Sequence, residues 1–525
     1  MARVLFIYPN TNSALSISPA IALLSAVLKQ DGHEVQLVHL HRELGLNFEP
    51  ESKPDLQRMA GLVNAADPDL VAVTATSFEY QAMNTLASFL REQGRRVPIV
   101  LGGAHATFCP GDYLSSSFDA FCVGEGERAI VEVCRRIDAG CRNGELFEAL
   151  PSWLASSVYP GRMPDPIPLF DRVEDLDALP AMDRELFDMD RITQSRSGWV
   201  DVFTARGCPF PCAFCCNHVF QRIYRRSKGQ ALGYRQRSVA QVVSEIKDLR
   251  ARYGGMLRVV SFQEDFLDYD REWMLRFCET YGAEIRLPFY MCSRPEWVDE
   301  TMAKSLAGAG CREISLGIES GSAFIRNHVL RKGIPDDSIY RACRCLRDVG
   351  IRVFANIMLG APHETRHTIQ ETVELLARVR PDLVRPTVLV PLRGTDLYEY
   401  CRERGLLRGE PNRAGSLFDE SVIQLEEIAP LELLRYRYLL GWRINAAMDT
   451  PASDRYKSLV EETERAPLES WRDQQFLRWF VGVDERLSTE TTENQVQHYR
   501  LFMGARELAQ LGHVKRFELW RPTPG

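Results

Sequence analysis

The sequence predicts an α/β protein in three parts: a doubly wound parallel sheet, then a partial barrel of six strand–helix units, then a helical C-terminal segment. Three observations predict it. Five short β-rich runs alternate with amphipathic helical stretches across residues 1–140. A further six apolar runs alternate with helical stretches across 198–404. From 405 to 525 the apolar residues recur at helical spacing alone.

In the first part the strands are Val4–Pro9, Glu34–Leu40, Leu70–Thr76, Ile99–Gly103 and Ala120–Gly124. Helices fall at Ala20–Gln30, Leu56–Ala65, Tyr80–Gln93 and Glu127–Ile137. Connections this short predict a flavodoxin-like sheet of five parallel strands, which binds ligands at its carboxyl edge. The loops at that edge are small, polar and rich in glycine, so a flat ligand's amides and phosphate can approach the backbone closely. The stretch 141–197 carries Pro151, Pro160, Pro164, Pro166, Pro168 and Pro180 and reads as an extended linker.

In the central part the apolar runs are Val200–Ala205, Leu257–Phe262, Arg286–Met291, Glu313–Ile318, Arg352–Leu359 and Leu383–Val390. Helices are expected near Val239–Arg252, Arg271–Glu279, Asp299–Ala309, Asp337–Asp348 and Thr368–Val379. Ser238 to Gln241 is a capping-box pattern opening the first of these. Six such units make a partial, TIM-like barrel with its site at the carboxyl ends of the strands. The last part reads as helices at Leu431–Ala447, Asp454–Glu464, Asp473–Phe480 and Gln495–Gln510, covering the barrel mouth.

Composition narrows the function. A length of 525 residues suggests about three domains. Hydrophobic residues at 45% and charged residues at 26% are ordinary for a globular protein. A net charge of −7 does not favour a broad nucleic-acid surface. The 14 cysteines are scattered apart from one group, which suits a reducing compartment better than a disulfide framework. No apolar stretch reaches about 18 residues, and Val4–Tyr8 is too short for a signal peptide. A cytoplasmic protein without nucleic-acid or membrane partners is expected.

The one cysteine group lies in Arg206-Gly207-Cys208-Pro209-Phe210-Pro211-Cys212-Ala213-Phe214-Cys215-Cys216-Asn217, straight after the apolar run Trp199–Ala205. Three thiolates at C-x3-C-x2-C spacing can wrap three irons of a four-iron cluster and leave the fourth iron for a substrate amine and carboxylate. A zinc site or plain buried thiols are the alternatives, but zinc sites usually pair two C-x2-C units and no second unit appears. Cys216 either competes for the cluster or faces away; adjacent side chains diverge, so it is expected to face away. Arg222, Arg225, Arg226, Lys228 and Arg235, interleaved with Tyr224 and Tyr234, read as a solvated surface loop, with Arg237 as an anion anchor. Carboxylates, hydroxyls and open backbone at the strand ends (Gln263 to Asp265, Glu319, Ser320) suit a ligand with ribose hydroxyls and an ammonium. Glu319 paired to Arg294 across the barrel is the structural alternative.

The cysteine motif after a strand resembles the signature of the radical S-adenosylmethionine (SAM) superfamily. Thr74-Ala75-Thr76-Ser77, Leu101-Gly102-Gly103-Ala104-His105-Ala106-Thr107 and Val123-Gly124-Glu125-Gly126-Glu127 resemble the cobalamin-binding domain that precedes many radical SAM domains. The resemblance implies a [4Fe-4S] cluster on Cys208, Cys212 and Cys215. It implies SAM beside Phe210, Phe214, Gln263, Glu264, Asp265, Glu319, Ser320 and Asn356. It places cobalamin against Asn10, Thr11, Asn12, Thr76, Ser77, Phe78, Glu79, Gly102, Gly103, His105, Ala106, Thr107, Gly124, Glu125, Gly126 and Glu127.

Many cobalamin proteins carry Asp-x-His-x-x-Gly after the first strand, with the His under cobalt; here that loop is Asn10-Thr11-Asn12-Ser13. The cobalamin is therefore expected without a protein His ligand, and His105 as a loop or corrin contact. The activity implied is methyl transfer from methylcobalamin to an unactivated carbon of a small molecule, started by a deoxyadenosyl radical made from SAM. An external one-electron reductant of flavodoxin or ferredoxin type would feed the cluster. The rivals are a ring-forming enzyme with the same cofactors, such as a porphyrin-type oxidative cyclase, and a cobalamin-binding sensor.

Overall fold

The computed structural model describes residues 1–10, 14–94, 96–264, 266–267, 269–409, 417–493 and 498–500. Its first sheet holds β1 (Arg3–Pro9), β2 (Glu34–Leu40), β3 (Leu70–Thr74), β4 (Ile99–Gly102), β5 (Ala120–Cys122) and β6 (Trp153–Ala155) in the order β2-β1-β3-β4-β5-β6. The first five run parallel, and their near-continuous apolar sequences follow from burial on both faces. Leu5, Ile7, Val71, Val73 and Leu101 pack into one core; Val4, Phe6, Leu70, Ala72 and Val100 pack into another on the opposite face. Helices Pro19–Gln30, Lys53–Ala66, Tyr80–Glu92 and Glu127–Asp138 cover the faces. Ser18 Oγ accepts from the Ile21 N–H and so caps the first helix.

Two features correct the expected five-stranded parallel sheet and bare linker. β6 arises within 141–197 and pairs antiparallel to β5, Phe121 opposite Leu154, so the sheet is mixed. Its Trp153 is buried and donates its indole N–H to Ala129 O at 3.1 Å, which ties the start of the linker to the sheet.

The second sheet contains all six central strands. They are β7 (Trp199–Val202), β10 (Val259–Phe262), β11 (Phe289–Ser293), β12 (Cys311–Glu319), β13 (Arg352–Leu359) and β14 (Leu383–Val388), in the order β14-β13-β12-β11-β10-β7 and all parallel. Helices Val239–Tyr253, Arg271–Glu284, Glu300–Ala309, Asp336–Asp348 and Arg366–Val379 connect the strands. Ser238 Oγ accepts from the Gln241 N–H at 3.2 Å, as the capping-box pattern anticipates. Buried and half-buried residues alternate along β11 and β14, so Tyr290, Cys292, Arg385 and Thr387 face a partly open concave side.

A short antiparallel pair, β8 (Ala205–Arg206) with β9 (Arg235–Gln236), brackets the cysteine loop. Residues Cys216–Lys228 form a helix where a surface loop was expected. At the C-terminus, helices Pro430–Ala447, Ser453–Glu464 and Gln474–Glu493 enclose a separate core around Trp442, Trp471 and Phe480. Of the expected helix Gln495–Gln510 only 498–500 lie among the described residues, and they are not helical. No helix among the described residues is long and apolar enough to cross a membrane.

Candidate functional site

The cysteine loop leaves β8 through Gly207, whose φ of +84° is a left-handed conformation. A Cβ there would collide with the Gly233 carbonyl, so the turn into the loop requires glycine. Three hydrogen bonds fix the loop: Ala213 N–H to Leu330 O at 3.0 Å, Leu397 N–H to Ala213 O at 2.9 Å, and Gln221 Nε2 to Cys208 O at 3.2 Å. Cys212 is buried, while Cys208 and Cys215 are half-buried. The Arg294 guanidinium lies 3.7 Å from the Phe210 ring centroid and donates to Cys212 Sγ at 3.8 Å. The guanidinium is thereby held between the Phe210 ring and the Cys212 sulfur. Cys216 opens the following helix and packs against the small apolar cluster of Phe108, Cys109 and Val219.

The neighbouring strand ends carry polar groups with defined partners. Glu319 is buried at a positive φ of 67°, beside a register shift between Gly317 and Glu319. Its carboxylate receives Lys332 Nζ at 2.6 Å, not Arg294, which instead pairs with Glu296 at 2.5 Å. Lys332 Nζ also lies 5.9 Å from the Phe214 ring. Glu264 is buried and accepts from the Thr204 N–H. Gln263 Nε2 donates to Ser261 Oγ at 2.5 Å and Asn356 Nδ2 to Ser315 Oγ at 2.6 Å. Ser320 is fully buried with its hydroxyl 3.4 Å from Thr372 Oγ1, which makes it a brace for its loop. Asp265 lies outside the described residues.

Facing this loop is the carboxyl edge of the first sheet. Gly103 has φ +84°, and a Cβ on it would sit 2.5 Å from Thr74 Oγ1. Thr107 Oγ1 donates to Gly103 O and accepts from the Gly124 N–H, both at 3.2 Å, so one hydroxyl joins two glycine loops. Gly124 has φ +87°, and a Cβ there would lie 2.8 Å from Tyr224 Oη.

Glu125 and Glu127 form the clamp between the two halves. Arg206 reaches Glu125 at 3.0 Å and Glu127 at 2.5 Å, and Arg235 reaches Glu125 at 2.7 Å. Burial opposes charge on Glu125, but Arg235 and Arg206 outweigh it and hold the carboxyl below its usual range. Arg237 pairs with Glu245 at 2.5 Å, so the expected anion anchor is part of an internal ion pair. On the helix, Arg222, Arg226 and Lys228 pair with Asp396, Asp165 and Asp171 near the surface.

A cavity of about 590 Å³ lies between the two carboxyl edges. From the first sheet, Gly102, Gly103, Thr107, Gly124, Glu125, Gly126 and Glu127 line it; from the second, Phe203, Arg206, Gly207, Gln263 and Glu264 do. Thr74 and Asn217, from the quoted strand-end and cysteine stretches, also line it, as do Leu24 and Phe220, which no motif marked. The remaining described residues expected at cobalamin are not part of its wall. Asn10 Nδ2 braces its own loop through Ala14 O and Ser16 O. Thr76 donates to Glu79, closing a local turn, while Phe78 is half-buried beside it and Ala106 is core. His105, expected as a loop or corrin contact, is fully buried, stacked 3.7 Å from Tyr80 and bonded to Ser77 Oγ. Thr11 and Asn12 lie outside the described residues.

Two family models match the chain: the radical SAM superfamily over residues 202–376, and the B12 binding domain over 15–134. The chain thus joins a B12 binding domain to a radical SAM domain. This radical SAM chain is 26% identical to an uncharacterized methyltransferase of Pyrococcus horikoshii, across 77% of this chain and 84% of that protein. It is also 26% identical to the anaerobic magnesium-protoporphyrin IX monomethyl ester cyclase of Rubrivivax gelatinosus, across 76% of this chain and 69% of that protein. Its fold is similar to that of the radical SAM methyltransferase TsrM from Kitasatospora setae, at a TM-score of 0.62 and 17% identity, covering 92% of this chain and 99% of that one.

The residues present fit the family's cofactors. Three thiols sit on one pinned loop with an arginine against one of them. A glycine cradle faces that loop across a cavity within the size range of small-molecule sites. The protein is a radical SAM enzyme with a domain for cobalamin.

Proposed function

We propose that this enzyme transfers a methyl group to an unactivated carbon of a small-molecule substrate. One observation carries the reading: a single cavity is walled by both the cobalamin-domain loops and the strand that leads into the cysteine loop. When bound, the cluster with SAM supplies one-electron radical chemistry, and cobalamin supplies the methyl group. The chain's own part is to hold and to exclude. Cys208, Cys212 and Cys215 are the proposed cluster ligands, with Cys216 turned into the apolar cluster. Arg294 donates to Cys212 Sγ and braces that side of the loop. The Glu319–Lys332 pair offers one carboxylate and one ammonium to the amino-acid end of SAM. Gly103 and Gly124 permit left-handed turns packed against Thr74 and Tyr224, so bare backbone forms this part of the cavity wall. The Arg206–Glu125–Arg235 clamp fixes the distance between the two halves, so the reacting groups meet in one orientation.

The reading divides the chain into a cobalamin domain at 1–140, a linker at 141–197, a radical SAM domain at 198–404 and a helical cap at 405–525. Electrons would come from an external carrier.

A cyclase is the second reading, because the Rubrivivax relative matches as much of this chain at the same identity as the methyltransferase does. SAM labelled in its methyl group decides between them. Label in the product, together with released 5′-deoxyadenosine, supports methyl transfer. Deoxyadenosine with an unlabelled product supports cyclisation and overturns the first reading.

A further inference from the structure

Where Leu330 and Leu397 bracket Ala213, the surface over the cysteine loop carries an aromatic patch. Phe324 is 51% exposed, the most exposed phenylalanine among the described residues. Its ring lies 5.8 Å from the exposed His328 and 6.3 Å from the exposed His363. His363 in turn bonds Tyr400 Oη at 2.5 Å, and Arg404 lies 3.9 Å over the Tyr400 ring. One exposed apolar side chain needs no explanation. Here Phe324 and His328 sit at a π-helical turn, Ile325–Val329, of the kind that often marks functional sites.

The rim of the patch is basic. Arg222 (side chain 45% exposed) and Arg331 (43% exposed) converge with His218 on one carboxylate, Asp396. Arg402 and Arg404 offset Glu399 and Glu403 along the same helix, so the second guanidinium on Asp396 is the charge left over at this rim. The patch is also joined directly to the proposed cluster loop. Arg331 follows Leu330, whose carbonyl holds the Ala213 N–H, and His218 stands three residues after Cys215. The cofactor cavity opens between the sheets and is lined by none of these patch residues.

On the radical SAM reading, the cluster is charged one electron at a time from outside the cavity. We propose that the Phe324–His328–Arg331 face docks a small acidic one-electron carrier protein. The carrier gives up one electron and the cluster gains one; an anionic flavin hydroquinone becomes its neutral semiquinone, with no proton exchanged. An aromatic centre with a basic rim fits a transient, charge-steered encounter with an acidic partner.

The test uses the anaerobically reconstituted enzyme and an acidic flavodoxin as probe. Binding is read by biolayer interferometry, and cluster reduction by loss of its visible absorbance in stopped flow. Arg331→Glu is expected to weaken binding and slow flavodoxin-driven reduction by about tenfold or more at low salt, and to flatten the salt dependence. Phe324→Ser is expected to slow both severalfold. Iron content and the rate with dithionite should stay at wild-type values in both variants. If Arg331→Glu loses iron, Phe324→Ser, which sits outside the core, carries the test. Wild-type flavodoxin kinetics in the variants, or no flavodoxin binding by the parent enzyme, overturns the docking face. A parent protein that binds flavodoxin yet assembles no cluster overturns the radical SAM reading instead.

Discussion

Arg206 Nη1 lies 3.0 Å from Glu125 Oε1, joining the residue two before Cys208 to the loop that ends the fifth strand of the first sheet. The pair is partly buried and extends to Glu127 and Arg235. A buried network of this kind contributes mainly through what its loss leaves behind: an unpaired charge. Glu125→Gln should therefore destabilise the protein by about 3 kcal/mol and loosen corrin binding, while the cysteine loop keeps its iron. Denaturant unfolding and corrin retention on a desalting column check this. Unchanged stability would mean that the two halves are held elsewhere.

The loop's four cysteines divide into three proposed cluster ligands and Cys216, which packs against an apolar cluster. Alanine at Cys208, Cys212 or Cys215 should drop reconstituted iron from about four per chain to near zero, with the far-ultraviolet circular dichroism preserved. Cys216→Ala should keep its iron and lose only packing against Phe108 and Val219. Loss of iron in Cys216→Ala would place that thiol on the cluster and close the open corner.

Gly103 and Gly124 both combine a positive φ with close neighbours, Thr74 Oγ1 and Tyr224 Oη. Gly103→Val should weaken cobalamin binding at least tenfold, about 1.4 kcal/mol or more, without disturbing the cluster. Equilibrium dialysis with hydroxocobalamin reads the affinity, and the cluster's visible spectrum provides the control.

Lys332 neutralises Glu319 at the proposed SAM end of the barrel. Lys332→Met leaves that buried carboxylate without its partner and should weaken SAM binding about tenfold, with cluster content unchanged. Lys332→Arg should recover part of the loss. A filter-binding assay with labelled SAM tells the two apart.

Glu364 supplies a pH dependence of stability. Burial pushes its carboxyl from 4.5 up to about 8, against the lowering effect of the Gly360 and Ala361 N–H groups it accepts from. Between those values the unfolded chain has lost the proton and the folded chain retains it. Stability contributed by this group is thus full below about pH 4.5, falls as pH rises towards 8, and is flat above. The slope is at most about 1.4 kcal/mol per pH unit. Glu364→Gln should flatten that decline, seen as a narrowing of the variant–wild-type difference in melting temperature from pH 8 to pH 5. A difference that does not change with pH would show that Glu364 is ionised in the fold.

The strands were legible because each is a short apolar run buried on at least one face. The cysteine trio was legible because its ligands are local in sequence. What escaped depended on distance. Glu125 and Glu127 read as ligand contacts, yet their partners Arg206 and Arg235 lie 79 to 110 residues away. The helix Cys216–Lys228 read as a loop because its basic residues masked an apolar stripe of Val219, Phe220, Ile223 and Tyr224, which packs on the first sheet's side. β6 has three residues, too few for periodicity to show. His105 sits in a glycine-rich loop by sequence, but the short helix Gly103–Phe108 turns its ring into the core beside Tyr80.

The shared cavity requires the corrin and the cluster to be neighbours in one protein molecule. With cobalamin in its Co(II) form and the cluster reduced, both centres carry an unpaired spin, and electron paramagnetic resonance reports their separation. Mutual broadening of the two signals, abolished in Gly103→Val as the corrin leaves, is the expected result. Full occupancy of both centres with two sharp, uncoupled spectra would contradict it.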